Sequence, residues 1–203
     1  MKLLLTSTGL PPEYSQFFLN KLNKAPSGTK VAFIPTAADP EDDKWFVDAS
    51  LKQLYDLNFP VEIVDLKDNQ EKIKDKLINS QIIYIGGGNT YYLLKWIRQS
   101  GLHKYLKKLL DEGRIYLGGS AGTLVVCPEI SASSWGRYGD KNIVNLSDLK
   151  GLNLVDFIVY PHYVDNEKNL IDEKSKSLTC PIIPISDTQA IWWEDGHWEV
   201  IGK

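Results

Sequence analysis

The sequence is short of cysteine, histidine, arginine and long apolar runs, and each shortage removes a class of protein. Two cysteines in 203 residues, Cys127 and Cys180, cannot build a disulfide framework and lack the spacing of a metal site. Both read as core thiols of a reducing compartment. No stretch approaches the roughly 20 consecutive apolar residues of a membrane-spanning helix. The opening Met1-Lys2-Leu3-Leu4-Leu5 carries one positive charge and an apolar run too short for a signal peptide. A cytoplasmic protein with no membrane partner is therefore expected. Basic residues number 23 against 26 acidic ones, scattered in both signs for a net charge of -3, and the arginines are Arg98, Arg114 and Arg137 alone. Without a Lys/Arg stripe to neutralise phosphates, nucleic acid is not an expected partner.

The chain is ordinary in its bulk: 43% apolar and 24% charged, without internal repeats or low-complexity segments. Its length suits one well-buried core, so a single domain over residues 1–203 is expected. Short β-branched runs alternate with longer amphipathic stretches, the pattern of βαβ units around a mostly parallel sheet. Strands are predicted over residues 2–7, 30–35, 61–65, 82–85 and 114–117. Helical spacing over 12–23 groups Tyr14, Phe17, Phe18 and Leu22. In the next segment, Trp45, Ala49, Lys52 and Tyr55 repeat near 3.6 residues. Residues 89–110 read as two short helices, with Asn89 capping the first and Gly101 ending it. Residues 127–149 are rich in Ser, Gly and Asn, with isolated Trp135 and Tyr138, and read as loops or short strands near the active face. The tail over 182–201 reads as an antiparallel hairpin turning at Asp195-Gly196 and closing the sheet edge.

Three motifs carry chemistry. Gly118-Gly119-Ser120-Ala121-Gly122 follows one predicted strand and precedes the helical Thr123-Leu124-Val125-Val126. Small neighbours permit a sharp strand-to-helix turn that exposes the Ser120 hydroxyl, and the helix N-terminus and the Ala121 N–H favour an oxyanion. A plain serine N-cap is the competing reading. Gly86-Gly87-Gly88-Asn89-Thr90 follows another buried strand, so Gly88 and Ala121 face one crevice as two halves of an oxyanion hole. A tight turn or a phosphate-cradling loop is the alternative there. The contiguous glycines do not match a dinucleotide fingerprint. Among the histidines, His103 lies on a polar helix and His197 on the terminal hairpin. His162, in Tyr160-Pro161-His162-Tyr163, instead ends the apolar strand 157–160, where it is placed to act as general base.

In combination, Gly86-Gly87-Gly88-Asn89-Thr90, Gly119-Ser120-Ala121-Gly122 with Cys127-Pro128, and Pro161-His162-Tyr163 resemble peptidase family S51, which includes peptidase E and the cyanophycinases. The resemblance spans most of the chain. It implies a doubly wound α/β fold similar to class I glutamine amidotransferases, no metal or cofactor, and hydrolysis of small peptides. It also implies Ser120 as nucleophile, His162 as base, Gly88 and Ala121 as oxyanion donors, and Asn89 near the substrate. Two departures stand out. Where the loop beyond the family's nucleophile carries a triad aspartate, ungapped counting arrives at Trp135, so the acid is sought at Asp187 first, then Asp140, then Asp165. The family's basic specificity residue after the histidine has no arginine counterpart over 166–178, which leaves Arg137 as the candidate grip on a substrate carboxylate.

The expected activity is serine-dependent cleavage of small peptides through an acyl-enzyme. The alternatives are an ester, amide or isopeptide substrate, or a binding protein that lost its triad acid. A glutaminase using Cys127 fits less well, because that residue falls inside the predicted helix. A small peptide is the expected partner, and assembly as a homodimer stays open.

Overall fold

The structure, a computed structural model, describes residues 1–203. Five short strands, β1 (Lys2–Thr6), β2 (Val31–Ile34), β3 (Val61–Ile63), β4 (Ile82–Ile85) and β5 (Ile115–Gly119), lie parallel. Two later strands, β6 (Ile158–Tyr160) and β7 (Ile182–Pro184), form a separate parallel ribbon. The last two, β8 (Gln189–Glu194) and β9 (His197–Gly202), are an antiparallel hairpin whose first strand pairs antiparallel with β1. The main sheet thus runs β3-β2-β4-β5-β1-β8-β9. The expected hairpin is present around Asp195, but residues 182–184 belong to the ribbon and not to the sheet edge.

Alternation along the inner strands explains the layers, because successive side chains point to opposite faces. Leu4, Phe33, Tyr84 and Leu117 pack on one face against α1 (Pro12–Asn20) and α2 (Trp45–Asp56), through Tyr14, Phe18 and Leu54. Leu3, Leu5, Ile34, Ile83, Ile85 and Tyr116 pack on the other. That face is covered by α3 (Gln70–Ile78), α4 (Thr90–Gln99), α5 (Leu106–Asp111) and α6 (Ala121–Leu124). With apolar side chains on both faces the strands read as continuous hydrophobic runs, as parallel sheets require. Each fully buried Leu or Ile contributes roughly 1.5–3 kcal/mol. The last helix, α7 (Lys168–Lys174), lies between the two ribbon strands in sequence. No helix is long and apolar enough to cross a membrane.

Local signals place several boundaries. Asn89 Oδ1 accepts the Tyr92 N–H at 3.0 Å and caps α4, and Gly101 at φ +75° separates α4 from the short turn leading to α5. Strand β3 ends two residues earlier than expected. On α2, Ser50 and Leu54 are buried, whereas Trp45 is 67% exposed and Tyr55 57%. The helical spacing is present, and the start of α2 borders a pocket instead of the core. Helix α6 is a single turn, and Cys127 lies beyond it in a bend.

Candidate active site

Parallel strands deliver their following loops to one edge of a sheet, and three of those loops meet here. Ser7 and Thr8 follow β1, Gly86 to Gly88 follow β4, and Ser120 follows β5. Antiparallel pairing brings the start of β8 to the same edge, since Ala190 pairs with Thr6 at the carboxyl end of β1. Asp187 lies three residues before that point. The ribbon then supplies the histidine: Tyr160 pairs with Pro184, so the chains leaving β6 and β7 run side by side and present His162 and Asp187 together. Backbone bonds extend this register, with Ile185 N–H donating to Tyr160 at 2.9 Å and Tyr163 N–H to Ile185 at 3.0 Å.

Ser120 occupies a strained corner at φ 49° and ψ -105°. A side-chain-bearing residue holds such a conformation only where its surroundings over-determine it. They do so through the Ser120 N–H bond to Thr6 at 2.9 Å, and through Thr123 Oγ1, which donates to the Thr6 carbonyl at 2.7 Å and accepts its N–H at 2.9 Å. Gly122 lets this corner close: a Cβ there would lie 1.9 Å from the Ile85 carbonyl oxygen. Gly88, at φ +127°, is similarly obligatory, with a Cβ falling 2.3 Å from the Ala37 carbonyl carbon.

Three side chains align at this corner. His162 Nε2 lies 3.0 Å from Ser120 Oγ, and His162 Nδ1 lies 2.6 Å from Asp187 Oδ1. A carboxylate only accepts, so Nδ1 carries the proton and Nε2 is left to accept from the serine. The hydrogen bond from His162 holds the Asp187 carboxyl below the usual carboxylate range, with a smaller contribution from Arg137. Asp140 and Asp165, the other expected acids, do not reach His162. Asp140 accepts the Thr90 N–H at 2.8 Å, and burial pushes its carboxyl up to about 6. Asp165 opens a short turn after the histidine segment.

Two backbone N–H groups of the loops at this corner have no acceptor in the protein. Ala121 is the first residue of α6 and its N–H has no intrahelical acceptor; the Gly88 N–H also donates to nothing in the protein. A one-turn helix has little macrodipole, so α6 adds little charge of its own at this corner. Other expectations are corrected. The Asn89 amide caps α4 through its oxygen and donates to the Lys141 carbonyl at 3.0 Å, and it does not line the pocket. Arg137 does not line it either; its guanidinium lies 4.4 Å over the Tyr138 ring and donates to its hydroxyl at 2.7 Å. Trp135 borders the pocket beside Tyr160. Cys127 is not in a helix, and burial pushes its thiol up to about 12, which leaves it inert as a nucleophile.

Sequence reasoning missed the polar residues after β1. Ser7 Oγ accepts the His162 N–H at 3.0 Å and donates to the Ser186 carbonyl at 3.1 Å, while Thr8 Oγ1 donates to the Asp187 carbonyl at 3.0 Å. Small hydroxyl residues at the carboxyl end of a buried strand were the available signal, but nothing local tells a tether from a turn. The pocket in front of Ser120 measures about 440 Å³ and is walled by aromatic side chains, with the carboxylates Glu41, Asp140 and Asp187 and no lysine or arginine.

A doubly wound sheet with a strained serine, an imidazole and a carboxylate at its carboxyl edge defines an α/β protein of the serine peptidase class. The chain belongs to peptidase family S51, whose family model matches residues 3–201, and it is a serine-type peptidase. An uncharacterized peptidase of Listeria monocytogenes is 34% identical over 94% of this chain and 93% of its own length. A peptidase E of a Nostoc species is 28% identical over 80% of this chain and 65% of its own length. A crystal structure from Listeria monocytogenes, described as a candidate peptidase E, superposes with TM-score 0.86 at 30% identity, covering 100% of this chain and 98% of that one. A peptidase from an acI-B1 actinobacterium shares the fold, with TM-score 0.75 at 20% identity over 100% and 87% of the two chains.

Proposed function

We propose that this protein is a cytoplasmic dipeptidase that hydrolyses short peptides through an acyl-enzyme on Ser120. The observation that carries the reading is the Ser120–His162–Asp187 alignment, with its 3.0 Å and 2.6 Å contacts, on a residue held in a strained conformation. His162 Nε2 takes the hydroxyl proton as Ser120 Oγ attacks the scissile carbonyl, and Asp187 stabilises the imidazolium that forms. The N–H groups of Gly88 and Ala121 receive the oxyanion. The imidazolium then protonates the leaving amine, and the C–N bond breaks. A water, deprotonated by the same nitrogen, attacks the ester carbonyl and releases the free acid and Ser120. A pocket of about 440 Å³ suits a substrate of two or three residues. Relatives named peptidase E lend support to a dipeptide substrate.

The test is direct. Purified protein is expected to be labelled at Ser120 by a fluorophosphonate and to cleave at least one member of a dipeptide panel. Ser120→Ala abolishes both while leaving thermal unfolding cooperative. Hydrolysis by the purified Ser120→Ala variant at the parental rate overturns the reading.

A further inference from the structure

The substrate pocket is one-sided in charge. Of its three carboxylates, Asp187 is engaged by His162, whereas Asp140 accepts one backbone N–H and pairs with no lysine or arginine. Glu41 stands in the same pocket and adds its negative charge to the surroundings of Asp140. An acidic cluster alone says little, but a neighbouring group is unfinished in the same sense. Ser133 is only 5% exposed and lines the pocket, and its hydroxyl has no hydrogen-bond partner. The Asp140 N–H donates to the Ser133 carbonyl at 2.7 Å, so the lone hydroxyl and the unpaired carboxylate belong to one wall. A buried hydroxyl without a partner, beside a carboxylate that has a backbone donor but no cation, is destabilising unless something with several donors arrives. An ammonium group has three donors and the complementary charge.

Another wall is apolar. A Cβ built on Gly87 would lie 3.3 Å from Ser120 Cβ and 4.0 Å from the Phe46 ring, which places Phe46 beside the nucleophile. Trp45 lies edge-on to Phe46, their ring centroids 6.1 Å apart, and remains 67% exposed at the mouth. Tyr138 lies against His162, with ring centroids 5.4 Å apart.

We propose that Asp140 and the Ser133 hydroxyl bind the free α-ammonium group of the substrate, while Phe46 and Trp45 pack against an uncharged apolar or aromatic first side chain. The inference rests on the serine peptidase reading above and adds the substrate class. An acidic first side chain is disfavoured, since its carboxylate is desolvated beside Glu41 and Asp140 in a pocket lined by no lysine or arginine. An N-acylated peptide is disfavoured too, because acylation removes the charge that the Asp140 wall receives.

The experiment first counts reactive Ser120 by fluorophosphonate titration, and then measures kcat and KM for Phe-Ala, Leu-Ala, Asp-Ala and N-acetyl-Phe-Ala. Phe-Ala and Leu-Ala are expected to exceed both others in kcat/KM by roughly 100-fold, the scale of one buried charge-assisted contact. Asp140→Asn, which keeps an acceptor for Thr90, is expected to raise KM for Phe-Ala by about 10-fold to 100-fold with kcat little changed. Ser133→Ala does the same more weakly, and its fluorophosphonate titration stays complete. A labelled enzyme that prefers Asp-Ala, cuts N-acetyl-Phe-Ala as well as Phe-Ala, or cuts none of the four overturns the inference and leaves the reactive serine standing. Failure to label Ser120 takes both readings down.

Discussion

Ser120 and the partners of its active site reach the same point by different means. The serine sits on a corner where the backbone is buried and the neighbours are glycines in backbone contact, so its position is set by main-chain geometry. His162 and Asp187 come from the β6–β7 ribbon and its exits, outside the main sheet, and are tied to it by Ser7, Thr8 and a few backbone bonds. Their side chains are 23% and 56% exposed. A nucleophile must hold a fixed trajectory, whereas the base must move a proton from serine to leaving group while its carboxylate keeps it oriented. The contrast is one of burial and of tethering: His162 shares the positive φ of Ser120, at 60° against 49°, but is held by a side-chain hydroxyl from a neighbouring strand end.

The comparison breaks most sharply at Gly122. Gly122→Ala forces a Cβ into the Ile85 carbonyl and is expected to destabilise the protein by about 3 kcal/mol or more in urea denaturation. On the other side, Asp187→Asn leaves the fold intact but removes the charge opposite the imidazolium, and kcat is expected to fall about 1,000-fold. Because the folded-state carboxyl titrates below its ordinary value, the stability it adds is present above about pH 4 and lost as pH falls further. Melting temperatures of parent and variant therefore converge in acid. Unequal melting temperatures at pH 7 that stay equally apart at pH 2 count against the His162–Asp187 bond.

Smaller effects sharpen the contrast. Ser7→Ala loosens the tether on His162 and is expected to lower kcat by up to about 10-fold with KM unchanged, and Ser7→Thr to restore most of it. A rise in KM instead assigns Ser7 to substrate contact. Asp140→Asn acts on stability with the opposite sign. Burial raises this carboxyl to about 6, so the stability linked to it is full below about pH 4 and lost as pH rises through 6. The asparagine variant is expected to be more stable than the parent by about 1–3 kcal/mol at pH 7.5 and no more stable at pH 4.

Much of this architecture was legible because it is local. The apolar runs of β1, β2, β4 and β5, the Asn89 cap and the Gly101 break announce themselves by composition and spacing. Ser120 was visible because a sharp turn needs small neighbours, and His162 because it ends a buried run. Which face of α2 would be buried was not legible, because Trp45 borders a pocket that exists only once α2, β4 and the loop beyond Ser120 come together. Residues 182–184 looked like part of the terminal hairpin because a three-residue strand has no mark of its partner. Asn89 looked free to bind substrate because a cap and a ligand contact use the same amide.

Within the sequence alone lay the strand–helix alternation, the glycine corners and the residue types for acyl transfer, all consequences of side-chain size and period along a few neighbours. Which acid meets His162, which hydroxyls hold it, and which charges face the pocket were decided by tertiary structure. Those choices depend on pairings between segments more than a hundred residues apart, such as Ser7 with His162 and Thr6 with Ala190, whose register is set by the packing of the whole sheet.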